Sequence, residues 1–255
     1  MTTDIIEVVL AIPFVLLAGV LATLAVTPPK VALQQPADPQ EPPERQTLLE
    51  KTTYRNVAIT NFIEKSFTWI AVLPDLLALV FGRLFPHSKI SRAVLYPFFR
   101  SSGHPELVWH FTRATSWILP LGVLLIIVGS AIRLACFRTL GRMFTFTHTI
   151  KKDHQLMTTG LYSVVRHPSY SGMLMIFWGK VVWQAAPGSW MRESGVLHTA
   201  SGVMVGCLAI LFFSVFTIAF LLRTVEEDRA LEKQFGDEWR TWAGSVRYRL
   251  VPGIF

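Results

Sequence analysis

Long apolar segments and shorter polar segments alternate along this chain of 255 residues. A helix that crosses the roughly 30 Å hydrocarbon core of a bilayer needs about 20 consecutive apolar residues. The alternation predicts an all-α integral membrane protein with about five transmembrane helices, at residues 5–26, 67–85, 114–135, 169–186 and 201–222.

A few polar or small residues interrupt these apolar segments. Asp75 is expected to face protein or to lie near an interface, because a charge at membrane depth needs a partner. Arg133 is expected to snorkel towards the membrane surface, and Lys180 interrupts the short fourth span. Gly202 and Gly206 have the GxxxG spacing that permits close contact between membrane helices.

The connecting segments differ in character. Residues 27–56 contain six prolines and alternating charges, which predicts an extended linker with a helix resuming at Val57. Residues 86–113 are expected to form an ordered loop with a short interfacial helix. Residues 226–243 carry a loose apolar stripe, which predicts a surface helix that covers the membrane-side opening. A helix that docks a partner is the alternative.

The chain divides into two regions on this reading. Residues 1–135 form an N-terminal membrane scaffold of three spans, and residues 136–255 form a C-terminal region of two spans that holds most of the chemistry-bearing side chains. A cleaved signal peptide is the alternative for the first span. The leader MTTD lacks the basic residues that such a peptide requires, so we expect the span to be retained.

Composition supports the membrane assignment, with 51% hydrophobic and only 16% charged residues. A soluble domain carries about 25% charged residues. The net charge of +7 indicates topology and affinity for lipid surfaces, and the chain has no basic run with interleaved aromatics that would indicate nucleic-acid binding. Two cysteines, Cys136 and Cys207, do not make a disulfide framework.

The basic residues are distributed unevenly between the two sides of a five-span topology. The segments 27–56, 136–168 and 223–255 hold 15 Lys and Arg, whereas 83–113 and 187–200 hold six. Because cytosolic loops carry the excess of Lys and Arg, the first three segments are predicted to face the cytosol.

Two polar clusters stand out on that side: residues 154–172 and the segment from Arg223 to Glu227. His167 precedes Pro168, which disfavours helix at the histidine and predicts a turn where the fourth span begins. Composition alone leaves two interpretations open, an interfacial anchor or half of a binding site. We expect the two clusters to close over one site.

A metal site is not predicted. His148, Asp153, His154 and His167 are near one another in the chain, but their spacings do not match those of zinc ligands.

The two clusters also match a known family. The pattern resembles the isoprenylcysteine carboxyl methyltransferases, and it comprises His154-x-Leu156, Gly160-x-Tyr162, Arg166-His167-Pro168-Ser169-Tyr170-x-Gly172, Arg223, Glu226-Glu227 and Phe235-Gly236. Phospholipid methyltransferases and the C-terminal part of sterol reductases share it in looser form. The N-terminal third resembles the family only in its hydropathy.

The resemblance implies that S-adenosylmethionine is bound without a Rossmann fold, and the chain contains no GxGxxG motif after a strand. It implies that Arg223 faces the substrate carboxylate and that Glu227 holds a polar group of the cofactor. The other residues implied to line the cofactor are His154, Gln155, Leu156, Met157, Tyr162, His167, Pro168, Ser169 and Tyr170. Thr147, seven residues before His154, stands where the family has a glutamine, so the sequence departs from the family pattern at this position.

The implied activity is methylation of the C-terminal carboxylate of prenylated cysteine, in CaaX-type protein substrates at the endoplasmic reticulum, with the active site facing the cytosol. Such a carboxylate is ionised at neutral pH, so the reaction needs no general base. It needs reactants held in line and water excluded.

Alternatives remain open from the residues themselves. Arg223 and Glu227 are spaced i, i+4, so they could form an ordinary surface ion pair instead of holding two ligands. The acceptor could be a phospholipid amine or another small substrate. A reductase-like relative that uses NADPH and a non-catalytic membrane adaptor are the other possibilities.

Overall fold

The computed structural model describes residues 2–27, 49–85, 88–99, 117–141 and 155–254. Every regular element in these ranges is helical, which confirms the all-α class. The helices are α1 (Thr2–Val26), α2 (Leu49–Leu77), α3 (Lys89–Phe99), α4 (Ile118–Leu140), α5 (Pro168–Ala185), α6 (Trp190–Glu193), α7 (Ala200–Phe235) and α8 (Asp237–Ser245). A π-helical segment, Ala78–Leu84, continues α2, and 3₁₀ turns occupy Gly160–Ser163 and Val196–His198.

Three helical segments in the described part of the chain are long and apolar enough to cross a bilayer: Val57–Gly82, Ile118–Leu140 and Ala200–Phe235. The residues Leu10–Val26 of α1 form a shorter apolar helix. These segments support an integral membrane protein. Helix α5 occupies the position of the expected fourth span, and the count of five spans stays a prediction.

Two predicted boundaries are wrong. Helix α2 begins at Leu49, so the expected linker 27–56 ends earlier than its composition indicated, and residues 28–48 lie outside the described ranges. The predicted surface helix 226–243 is two helices, because α7 ends and α8 begins around Gly236. Gly236 has a φ of +54°, a conformation that residues with a side chain rarely adopt. The predicted loop helix corresponds to α3.

Helices α4 and α5 form a tightly packed antiparallel hairpin. A Cβ added to Gly129 would lie 2.5 Å from the carbonyl oxygen of Gly172, and one added to Gly122 would lie 2.5 Å from the backbone nitrogen of Trp183. A Cβ on Gly179 would lie 3.0 Å from the oxygen of Gly122. Only glycine permits backbones to approach so closely in a membrane. This hairpin holds the beginning of α5, where the polar turn lies.

The glycine pair expected to pack membrane helices has a different role. A Cβ on Gly202 would lie 2.0 Å from the carbonyl oxygen of Val196, in the turn just before α7, and Gly206 has only Leu197 within 4 Å. The GxxxG interpretation is therefore wrong, because both residues face the preceding turn. The close helix contact lies at glycines spaced seven residues apart in α4 and α5.

Three ionisable residues of the membrane helices, Glu64, Asp75 and Lys180, are buried and have partners. Lys180 of α5 forms a buried ion pair with Glu64 of α2. Asp75, as expected, faces protein: it accepts hydrogen bonds from the backbone N–H of Trp190 and from Gln184 Nε2, the latter at 3.1 Å. These contacts fasten α2 to α5 and to the turn that follows it.

The snorkelling predicted for Arg133 is wrong, because its side chain is buried. Its Nε donates to the carbonyl oxygen of Ala25, near the end of α1, at 2.6 Å. Its Nη1 donates to Ser169 Oγ at 2.9 Å. A cation is favourable at the carboxyl end of a helix, so Arg133 joins α1 and α4 to the beginning of α5 instead of reaching for the membrane surface.

The glycine contact makes a direct prediction. Gly129→Ala should destabilise the protein by about 1–3 kcal/mol, because the new methyl group forces the helices apart. Gly206→Ala should be neutral or slightly stabilising, since alanine favours helix and has room there. Unfolding in detergent, followed by circular dichroism, measures the difference. Equal stability of the two variants would contradict the close-packing argument.

The buried ion pair makes a second prediction. Lys180→Met leaves the Glu64 carboxylate buried without its partner, which should cost about 3–5 kcal/mol. The double variant Glu64→Leu/Lys180→Met should recover most of that loss, because no uncompensated charge remains. Lys233→Met, at an exposed position of α7, is the control and should change little. A double variant as unstable as Lys180→Met would show that the charges matter for another reason.

Candidate active site

The polar turn before α5 is built around Pro168. Proline is favoured in the first turn of a helix because it has no N–H to satisfy, and Pro168 opens α5 with His167 before it in a non-helical conformation, at φ −127° and ψ 62°. The N–H of His167 donates to the carbonyl oxygen of Arg249 at 2.8 Å. Its carbonyl accepts from the N–H of Tyr170 at 3.1 Å. The histidine is therefore held on both sides of its backbone.

The side chain of His167 is buried and meets Asp228 of α7. Nε2 of His167 lies 2.9 Å from Oδ1 of Asp228. An ionised carboxylate can only accept hydrogen bonds, so we assign the proton to Nε2. In the neutral imidazole, Nδ1 is then the acceptor nitrogen, and it lies 3.9 Å from Oε2 of Glu227.

Asp228 is the centre of a cluster of positive groups. Its Oδ2 lies 3.0 Å from Arg166 Nη1 and 2.8 Å from Arg249 Nε, while Oδ1 receives His167. Two guanidinium groups around one buried carboxylate favour its ionised form. The carboxylate thereby joins the polar turn, helix α7 and the C-terminal tail.

Tyr170 completes the contact between the two polar clusters. Its hydroxyl donates to Glu227 Oε2 at 2.9 Å. Its ring lies 5.9 Å from the imidazole of His167 and 5.1 Å from the ring of Phe220 on α7. Arg223, one helical turn before Glu227, is close enough to act electrostatically on the same phenol. The expected meeting of the two clusters is confirmed.

A second group of predicted residues lies beside this contact. Leu156 and Met157 pack against a buried cluster that contains Cys136, Tyr162 and Trp242. The backbone carbonyl of Tyr162 accepts a hydrogen bond from Trp242 Nε1 at 3.2 Å. Burial raises the pKa of the Tyr162 phenol well above its ordinary value, and the nearby Cys136 adds to the rise. Tyr162 therefore stays neutral.

The remaining predicted residues are placed as follows. Ser169 accepts a hydrogen bond from Arg133, and Gln155 is exposed. His154 lies outside the described residues.

Across the described ranges, no three His, Cys, Asp or Glu side chains are grouped as metal ligands would be. The two cysteines are both free.

Sequence reasoning missed Asp228 and Arg249. Asp228 directly follows the Glu226-Glu227 pair, so a third acidic residue in the same turn was the available signal. Arg249 lies in a tail that looked only aromatic and basic, and nothing in its local sequence indicates a buried partner 21 residues earlier.

Comparisons with known proteins fit this geometry. A family model described as phospholipid methyltransferase matches residues 117–193, which include the hairpin of α4 and α5 and the polar turn. The chain is 34% identical over 134 residues to protein-S-isoprenylcysteine O-methyltransferase A of Arabidopsis thaliana, covering 51% of this chain and 57% of that protein. It is 38% identical over 91 residues to the Saccharomyces cerevisiae protein-S-isoprenylcysteine O-methyltransferase, covering 34% and 37%.

A more distant similarity is to 7-dehydrocholesterol reductase of Xenopus laevis, 28% identical over 101 residues, covering 40% of this chain and 18% of the reductase. Each of these alignments covers less than two thirds of the relative's own length. The relatives named as isoprenylcysteine methyltransferases and the family match agree with the motif of the polar turn. The chain is therefore similar to isoprenylcysteine carboxyl methyltransferases over about half of its length, and a phospholipid methyltransferase model matches the segment that contains the polar turn.

Proposed function

We propose that this protein transfers a methyl group from S-adenosylmethionine to the C-terminal carboxylate of prenylated cysteine in membrane-bound proteins. The main structural support is the contact between the two polar clusters, in which the Tyr170 hydroxyl donates a hydrogen bond to Glu227 Oε2 at 2.9 Å. The proposal is also supported by similarity to plant and yeast proteins that are named protein-S-isoprenylcysteine O-methyltransferases.

The residues present suit the proposed methyl donor. S-adenosylmethionine carries an ammonium group and a sulfonium, and both are favoured by nearby anionic or lone-pair acceptors. Glu227 Oε2 and the acceptor nitrogen Nδ1 of His167 lie on the same side of the polar turn, 3.9 Å apart. We assign these two groups to hold the ammonium. Leu156, Met157 and Tyr162, which the resemblance implies lie along the cofactor, belong to one largely apolar cluster.

Arg223 is assigned to the acceptor. A guanidinium presents a planar fork that matches a carboxylate through two hydrogen bonds. Arg223 lies one helical turn from Glu227, so the carboxylate and the methyl donor would be held by the same face of α7. Its role is to orient the acceptor, since too tight a grip on the carboxylate would weaken the nucleophile.

The chemistry requires positioning and no proton transfer. When bound, S-adenosylmethionine supplies an electrophilic methyl group. The acceptor carboxylate is ionised at neutral pH, so no base has to remove a proton. The burial of His167, Asp228 and Tyr162 excludes water beside the site, and an ordered, water-poor site can supply several kcal/mol through orientation alone.

We also propose that the protein lies in the endoplasmic reticulum membrane with its site facing the cytosol, and that the prenyl chain enters from the bilayer. The excess of Lys and Arg on the segments that carry the site supports this orientation. Apolar side chains of α7, such as Leu208, Leu211 and Ile218, are exposed and suit contact with lipid.

The direct test is methylation of acetyl-farnesylcysteine by membranes that contain this protein and a labelled methyl donor. His167→Ala should lower kcat/KM by about 10- to 100-fold, the loss expected when a hydrogen bond involving a charged group is removed. His198→Ala, an exposed histidine in the turn before α7, is the matched control and should retain full activity.

The family match with phospholipid methyltransferase makes a phospholipid amine the second candidate acceptor. The same membranes should therefore be assayed with phosphatidylethanolamine. Methylation of the phospholipid and not of acetyl-farnesylcysteine would assign the second acceptor. Absence of methylation in both assays would reject the proposal.

A second test concerns Arg223. Arg223→Ala should raise KM for acetyl-farnesylcysteine by about 10- to 100-fold, because a charge-assisted bidentate contact is lost. KM for the methyl donor should change much less. Arg229→Ala, an exposed arginine in the same helix, is the control. Wild-type efficiency in Arg223→Ala would remove this residue from the acceptor site.

A further inference from the structure

The C-terminal tail lies directly against the polar turn. The tail segment 248–250, called the strap below, accepts three hydrogen bonds from that turn and the first turn of α5. The N–H of Arg166 donates to the oxygen of Tyr248 at 3.0 Å, and the N–H of His167 donates to the oxygen of Arg249 at 2.8 Å. Ser171 Oγ donates to the oxygen of Leu250 at 2.6 Å.

The strap also reaches the side chain of His167, through Asp228. Arg249 Nε donates to Oδ2 of Asp228 at 2.8 Å, and Oδ1 of the same carboxylate meets His167 Nε2 at 2.9 Å. Arg166 contacts Oδ2 as well, at 3.0 Å. With both guanidinium groups on one oxygen, the other oxygen is turned towards the imidazole. Arg249 thus acts on the backbone of His167 through its carbonyl and on the ring through Asp228.

We propose that Arg249 is a positioning residue for His167. By holding Asp228 it keeps the proton of the imidazole on Nε2 and leaves Nδ1 as the acceptor that faces Glu227. This inference rests on the proposed function where it concerns the methyl donor, because Nδ1 and Glu227 are the pair assigned to the donor's ammonium. Arg166 keeps Asp228 charged in the absence of Arg249, so the loss should be partial.

The test compares Arg249→Met with Arg247→Met in the full chain, purified in detergent. Both substitutions remove one guanidinium from the tail and leave the backbone acceptors intact, but the Arg247 side chain is exposed. Arg249→Met should weaken binding of S-adenosylmethionine by about 10-fold, the loss of roughly one hydrogen bond to a charged group. KM for acetyl-farnesylcysteine, measured at saturating methyl donor, should stay within about twofold of the wild-type value, because Arg249 does not hold the acceptor.

Arg249→Lys supplies the conservative variant. Lysine keeps the positive charge but not the planar fork, so donor affinity should fall between those of wild type and Arg249→Met. The inference is overturned if Arg249→Met binds the donor as Arg247→Met does. It is also overturned if Arg249→Met lowers the thermal midpoint and weakens both substrates equally, because that pattern belongs to a purely structural residue.

A readout that does not need methyl transfer separates this inference from the proposed function. Imidazole ¹⁵N shifts of His167 should report a single Nε2-protonated tautomer in wild type and Arg247→Met, and a mixture of tautomers in Arg249→Met. If wild type does not bind the methyl donor, the proposed function fails, and these shifts alone decide the positioning role. The same tautomer in all three proteins would overturn it.

Discussion

The hydrogen bond between His167 and Asp228 joins two polar segments that lie 61 residues apart in the chain. The first segment leads into α5 and the second lies in the polar part of α7, and each carries charged groups that are buried. Buried polar groups of this kind are costly unless they are paired. The imidazole, the carboxylate and the two guanidinium groups satisfy one another, so the beginning of α5 and the polar part of α7 come together at this point.

The helices behind this contact make it possible. The glycines of α4 and α5 bring the two backbones into direct contact, which fixes the axis of α5 and therefore the position of its first turn. Arg133 adds a second constraint, since it connects the end of α1 to Ser169, two residues after His167. The N-terminal region is thus tied to the site by a buried hydrogen-bonded cation, and it is more than a membrane anchor.

Hydropathy was enough to predict the helical class and the apolar part of each helix, because the membrane imposes length and composition on its spans. It did not predict that α2 begins as early as Leu49 or that α7 continues to Phe235, since those extensions are polar. The motif predicted that His167, Tyr170, Arg223 and Glu227 lie together. Asp228 and Arg249 were missed because the sequence does not show whether a charged residue is buried or exposed to solvent. The glycine contact was missed because its glycines lie seven residues apart within each helix, at Gly122 and Gly129 in α4 and at Gly172 and Gly179 in α5. Gly202 and Gly206, by contrast, have the familiar four-residue spacing.

The arrangement of His167 and Asp228 is that of an imidazole oriented by a carboxylate, which in other enzymes prepares a base for a nucleophile. No hydroxyl or thiol nucleophile is needed for the proposed reaction, since its acceptor is already an anion. The proton on Nε2 is committed to Asp228, and Nδ1 faces a second carboxylate at Glu227. An imidazole with that environment is suited to accept from a cation. Under the proposed function, the histidine of the polar turn therefore contributes to binding a positively charged methyl donor and does not act as a catalytic base.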